Sequence, residues 1–208
     1  MATTTTRSDI RTRVRDYLYE DSADWFTDNM LNRAIVEEIN SLPSKDIYRE
    51  SVYTTNLVAN QMEYTFPTTN KKCEKIQINN GTDDVPDWGD FTGWDSFNNA
   101  LYLAFRPSKA DTIRAFLKLP FTPPTDDVTV LDVPDDVCEI VVWGTVLRCY
   151  RRVIGYLRQA KNWDAVSKPD YLTVGTITGW IIEAQKNYND LIKNYMTVSK
   201  PRDIDLTS

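Results

Sequence analysis

The chain has 208 residues and a net charge of −6, with 41% hydrophobic and 12% aromatic residues and a sequence pI near 4.8. That composition supplies a sizeable core and excludes a disordered protein, and the acidic balance gives no global field that would draw the chain to nucleic acid or anionic lipid. Histidine is absent, which removes Ser-His-Asp and Cys-His catalysis and the histidine-containing zinc sites.

The N-terminal "MATTTTRSD" lacks the apolar core of a signal peptide, and no apolar run approaches the roughly 18 residues of a membrane span. The expectation is a chain made and kept in a cytosol, with no membrane partner. Residues 1–7 read as a flexible threonine-rich tail. Thr6 or Ser8 can cap a first helix in which Ile10, Val14, Tyr17 and Leu18 share a face and Arg11 and Arg15 lie on another. In "DWFTDNMLNRAIVEEIN", Thr27 is placed to cap a second helix, with Asp28 at the positive end of its dipole and Phe26 and Leu31 at the spacing of a hydrophobic staple. Leu31, Ile35, Ile39 and Leu42 form its apolar stripe, Asn32, Arg33, Glu37 and Glu38 face away, and Pro43 ends it.

From Ile47 to Phe121 the period changes from about 3.6 to about 2. "YRESVYTTNLV", "MEYTF", "CEKIQI", "ALYLAF" and "TIRAFLKL" read as antiparallel strands between turn-forming stretches. Leu101, Leu103 and Phe105 can face one way, and Ile113, Ala115, Leu117 and Leu119 repeat the alternation. The stretch "DVPDWGDFTGWDSFNN" between them reads as a long loop packed by Trp88, Phe91 and Trp94.

"VLDVPDD" then opens a third helix running to about Asn162. Its first half is apolar almost all round. The second half alternates Tyr150, Ile154 and Leu157 with Arg148, Arg151, Arg152 and Arg158, either a solvated face or a set of interfacial ion pairs. Gly144 and Gly155 suggest close approach of another backbone. In the last helix, from about Thr176 to Ser199, Ile177, Ile181, Ala184, Tyr188, Leu191, Tyr195 and Val198 alternate steps of four and three, a seam with a period of about 3.5 that packs along a long neighbour, most simply the third helix in antiparallel sense. A polar tail, residues 200–208, follows.

The three cysteines, Cys73, Cys138 and Cys149, have no CxxC spacing and read as buried free thiols. The pairs Asp83–Asp84, Asp126–Asp127 and Asp135–Asp136 lie beside Pro or Gly, where aspartate bonds its own backbone, and lack the ligand spacing of a calcium loop. With only seven glycines and no GxGxxG, P-loop or GxSxG, neither a cofactor nor a metal nor an enzymatic activity is expected. The basic faces of the first and third helices, beside acidic loops, suit contact between copies of one protein.

These landmarks in order, "FTDNMLNRAI", "EYTFP", "LYLAFRP", "IRAFLKLP" and "VLDVPDD" followed by a long helix, resemble the head-to-tail adaptor (head-completion, connector) proteins of tailed bacteriophages over about residues 8–160. The resemblance implies a structural virion protein of the neck, made in the host bacterial cytoplasm. Its copies, usually twelve, form a ring that holds the portal on one face and a stopper or tail protein on the other, and DNA meets it only by passing through the lumen. It also implies that binding runs through surfaces and terminal segments. In "RDIDLTS", Ile204 and Leu206 stand two residues apart and could fill pockets on one side of an added strand. The candidate partner-binding residues are thus Arg11, Arg15, Arg151 and Arg158 on the helices and Arg202, Ile204 and Leu206 in the tail. The expected fold class is α+β, mainly α: a helical bundle over 8–46 and 122–199 with two long C-terminal helices and an antiparallel β-region inserted at 47–121. Another neck ring component, such as a stopper or tail terminator, and a non-viral helical interaction module are the alternatives.

Overall fold

The computed structural model describes residues 5–19, 26–66, 72–82, 84–107, 111–159 and 174–198, without the side chains of 156–159 and 174. The chain forms two compact units, one of Met1–Ser41 with Thr122–Ser208 and one of Leu42–Phe121.

The first unit is helical. Helix α1 (Arg7–Leu18) starts at a capping box: Thr6 Oγ1 accepts from Asp9 N at 3.2 Å, and Asp9 accepts in return from Thr6 N at 2.8 Å. It stops at Tyr19, in the left-handed region with φ 55°. Its apolar residues Ile10, Val14 and Leu18 are buried. Helix α2 (Asp28–Ser41) begins after Thr27, whose hydroxyl accepts from Met30 N at 3.3 Å. Leu31, Ala34, Ile35 and Ile39 form its buried stripe. Pro134 accepts the first bond of α3 (Asp135–Gln159), from Cys138 N at 2.8 Å, and Asp135 and Asp136 meet the dipole of its first turn. The first half of α3 is buried nearly all round, from Val137 to Leu147. Helix α4 (Val174–Val198) runs antiparallel to it: the Tyr150 ring meets Trp180 at 5.6 Å, Arg151 bonds Gln185, and Tyr188 reaches the level of Arg148.

The second unit is built of strands. After a single 3-10 turn at Leu42–Lys45 come β1 (Arg49–Asn56), β2 (Glu63–Thr65), β3 (Lys72–Asn79), β4 (Trp88–Phe91), β5 (Trp94–Phe97), β6 (Ala100–Leu103) and β7 (Thr112–Leu119). They make two antiparallel sheets, ordered β1-β7-β3-β4 and β2-β6-β5. Ile113, Ala115, Leu117, Leu119, Cys73 and Ile76 from the first sheet share one core with Tyr64, Leu101 and Leu103 from the second. A bulge between Cys73 and Lys75 shifts the β3–β7 register. Burial pushes the thiols of Cys73 and Cys138 up to about 11, and all three cysteines are free and buried.

The expected fold class needs correction. The chain is not mainly α, because its strands are substantial. The described residues hold four helices and seven strands, and the strands build a compact unit of two sheets with a core of its own. The stretch expected as a long aromatic loop is instead β4 and β5, with Trp88 paired to Asn79 and Trp94 to Leu103. The β5–β6 connection is a two-residue turn in which Asn98 and Asn99 take φ 49° and 64°, the signature of a type I′ hairpin. Phe105, expected on one face with Leu101 and Leu103, lies beyond the end of β6, 40% exposed, with its ring edge-on to Phe91. Among the described residues no helix is long and apolar enough to cross a membrane.

Candidate functional site

The basic face of α1 is spent on its own unit. Arg11 bonds Asp127 at 3.0 Å and Asn32 at 3.0 Å and lies 3.5 Å from Asp28, while Arg15 bonds Asp28 at 2.7 Å and the carbonyl of Phe26 at 2.9 Å. Their side chains are only 14% and 15% exposed. Arg7 joins them through Asp127 at 2.7 Å, and Arg13 pairs with Glu139 of α3. The segment after the strands is thereby tied to α1, a tie that backbone bonds from Ser8 N to Asp127 O and from Leu131 N to Thr5 O extend.

Asp127 therefore works as a clamp. The hydrogen bonds of Arg7 and Arg11 hold its carboxyl below the ordinary carboxylate range. A depressed carboxylate contributes stability above its unfolded pKa, about 3.9, and loses that contribution as pH falls through the folded value. Asp127→Asn should lower the melting temperature at neutral pH, and its gap to the wild type should narrow on acidification from about pH 5 to pH 3. A gap of constant width would show that Asp127 acts through its shape and not its charge. Its neighbour Asp126 accepts from Val128 N, Thr129 N and the Thr129 hydroxyl, a self-bonded turn. Among the described residues no group of three or more Cys, Asp or Glu side chains converges as a metal site would require.

The arginines of α3 reach back to α2 and across to α4. Arg148 donates to Glu38 at 2.7 Å, Arg152 to Glu37 at 2.7 Å, and Arg151, which is exposed, to Gln185 of α4 at 2.6 Å. Glu37 also takes Arg33 at 3.0 Å. An open groove of about 420 Å³ beside them is lined by Asn29, Met30, Arg33 and Arg152, so both of its guanidiniums already pair with Glu37. Of the remaining candidates, the side chain of Arg158 and the whole of Arg202, Ile204 and Leu206 lie outside the described residues.

At the centre of the helical unit is a group that the sequence pattern concealed. Glu38, expected to face away, is 2% exposed. It accepts from Arg148 and from the hydroxyl of Tyr188, so α2, α3 and α4 meet at one carboxylate. Burial, with the Glu38 charge, raises the Tyr188 phenol well above its usual range and keeps it a donor. A Cβ on Gly144 would fall 2.6 Å from Glu38 Oε1 and 2.7 Å from its Cγ. The close approach at Gly144 is therefore by a side chain and not by another backbone, and at Gly155 nothing among the described residues stands within 4 Å. A glycine in the apolar half of a helix, facing a glutamate elsewhere, was the only signal available.

Compared with known proteins, the chain matches no family profile and no curated protein.

Proposed function

We propose that the chain is a ring-forming head-to-tail adaptor, a structural protein of the virion neck that joins the portal to the tail of a tailed bacteriophage. The observation that carries this reading is the use of charged side chains as braces between elements of the helical unit: Asp127 with Arg7 and Arg11, Asp28 with Arg15, Glu37 with Arg152, and Glu38 with Arg148 and Tyr188. Such braces hold helices at fixed angles. A ring subunit needs that, because an angular error recurs at every interface and prevents closure. The ordered sequence landmarks support the same reading. On it the protein is made in the host cytoplasm, its partners are its own copies, the portal and a stopper or tail protein, DNA meets it only in the lumen, and it needs neither cofactor nor catalysis.

A second reading, another ring of the neck such as a stopper, draws support from the seven strands and their independent core. Mass photometry of the pure protein, alone and with a portal ring, separates the readings. Closed oligomers that bind the portal support the adaptor. Oligomers that ignore the portal but bind a portal–adaptor complex favour the second reading, and a monomer that binds neither sinks both.

A further inference from the structure

The β unit is built of two sheets that share one core, and each sheet also carries an outward face. On the four-stranded sheet, β7 sends Ile113, Ala115, Leu117 and Leu119 into the core and presents Arg114, Phe116 and Lys118 on the other side. The Arg114 guanidinium lies 4.3 Å from the ring centroid of Trp88 and 5.4 Å from that of Phe116. Its Nε donates to Gln77 Oε1 at 2.7 Å, and Gln77 is itself held by Asp90 at 2.8 Å. Lys75 and Lys118 on this face have carboxylates, Asp90 at 2.7 Å and Glu74 at 2.9 Å. Arg114 has none among the described residues. It is a cation fixed by two rings and an amide, with its terminal nitrogens unspent, beside Val52, which is 53% exposed and paired to Phe116 across the strands.

The three-stranded sheet shows the complementary chemistry. Tyr64, Leu101 and Leu103 point into the core, and Glu63, Tyr102 and Asp95 form a cross-strand row on the outer face. The Tyr102 hydroxyl donates to Glu63 at 3.2 Å, and Phe97, 66% exposed, is the next outward residue of β5. Strands β2, β5 and β6 contain no Lys or Arg, and among the described residues neither Glu63 nor Asp95 has a cation partner.

We propose that these faces are the two halves of one contact between copies of this chain: Arg114 of one copy, framed by Trp88 and Phe116, docks between Glu63 and Asp95 of the next, with Tyr102 and Phe97 covering the apolar rim. A guanidinium offered to two carboxylates beside aromatic rings combines bidentate hydrogen bonding with stacking. Because the halves are two different faces of one unit, the contact is head-to-tail, and each copy presents the face that the next one needs. Such a contact closes into a ring or runs on as a filament. The inference rests on the ring reading proposed above and deepens it by naming the contact.

The test is charge exchange, read by sedimentation velocity with thermal melts as the folding control. R114E gives two acidic faces and the E63R/D95R double variant two basic faces, so each alone should lose the oligomer while keeping a cooperative melt. Mixed in equal amounts they should assemble again, and the triple variant R114E/E63R/D95R should assemble by itself. Wild-type oligomers that survive both single-face variants would overturn this contact and leave the ring reading standing. Variants that lose the oligomer but do not recover it on mixing would overturn the pairing of these two faces. A wild-type protein that stays monomeric, alone and on the portal, would overturn both.

Discussion

Arg148→Met is expected to lower the stability of the helical unit by about 3 kcal/mol, the low end for breaking a buried ion pair. Methionine retains much of the apolar stem, so the loss is electrostatic. Glu38 is 2% exposed and bonded by Arg148 at 2.7 Å, and removing the guanidinium deprives a buried carboxylate of that cation. The Arg148 side chain is itself 31% exposed, which is why the low end applies: some of its interaction is already screened by water. Denaturant unfolding with an unchanged m-value would measure the loss. Gly144→Ala should act on the same group from one turn earlier on α3, because the new methyl meets Glu38 at 2.6–2.7 Å, and the overpacking cost of about 1–3 kcal/mol is offset by about 1 kcal/mol of helix propensity. A loss below about 1 kcal/mol in Arg148→Met would mean that the Arg148–Glu38 bond is not what braces α3 against α2.

Elements whose apolar period is unbroken could be read from the sequence. Helix α1 and the buried stripe of α2 follow directly from Ile10, Val14 and Leu18 and from Leu31, Ile35 and Ile39, and the core face of β7 follows from its alternation. What could not be read has two physical causes. Strands β4 and β5, "WGDF" and "WDSF", are four residues long and carry Gly, Asp and Ser, which have little strand propensity; pairing with β3 and β6 and a core of aromatics outweigh it. The Asn98–Asn99 turn also lacked the glycine that marks most such hairpins, since asparagine tolerates the left-handed region. The second cause is that a charged side chain is assigned to solvent by default. That default misplaces Glu38, which is buried because Tyr188 and Arg148 come from elements more than a hundred residues away. It also leaves unseen the bonds that Asp127 and Asp28 make to Arg11 and Arg15 within the chain. A partner that a fold supplies from a distance leaves no periodic trace.

The seam of α4 shows the same limit and yields the largest expected effect. Its sequence repeat is uniform from Ile177 to Val198, but its burial is not: Ile177 and Ala184 are 1% exposed and Tyr188 7%, Leu191 and Tyr195 are half-buried, and Val198 is 82% exposed. A helix stripe records which residues are apolar and says nothing about where the covering helix ends. Ile177→Asp should therefore cost about 4 kcal/mol, combining the lost burial of a full side chain with an unpaired charge at a fully buried position. At 2–4 °C per kcal/mol for a chain of this size, that is a melting temperature lower by roughly 10 °C. Leu191→Asp should cost about 1–2 kcal/mol, because water reaches the new carboxylate. Thermal melts of the two variants, run at a concentration where the wild type is monomeric, test the order. Equal losses would show that Leu191 is as thoroughly covered as Ile177 in the free chain. A loss for Leu191→Asp that appears only when the protein is concentrated enough to oligomerise would place the C-terminal half of α4 in a contact between copies.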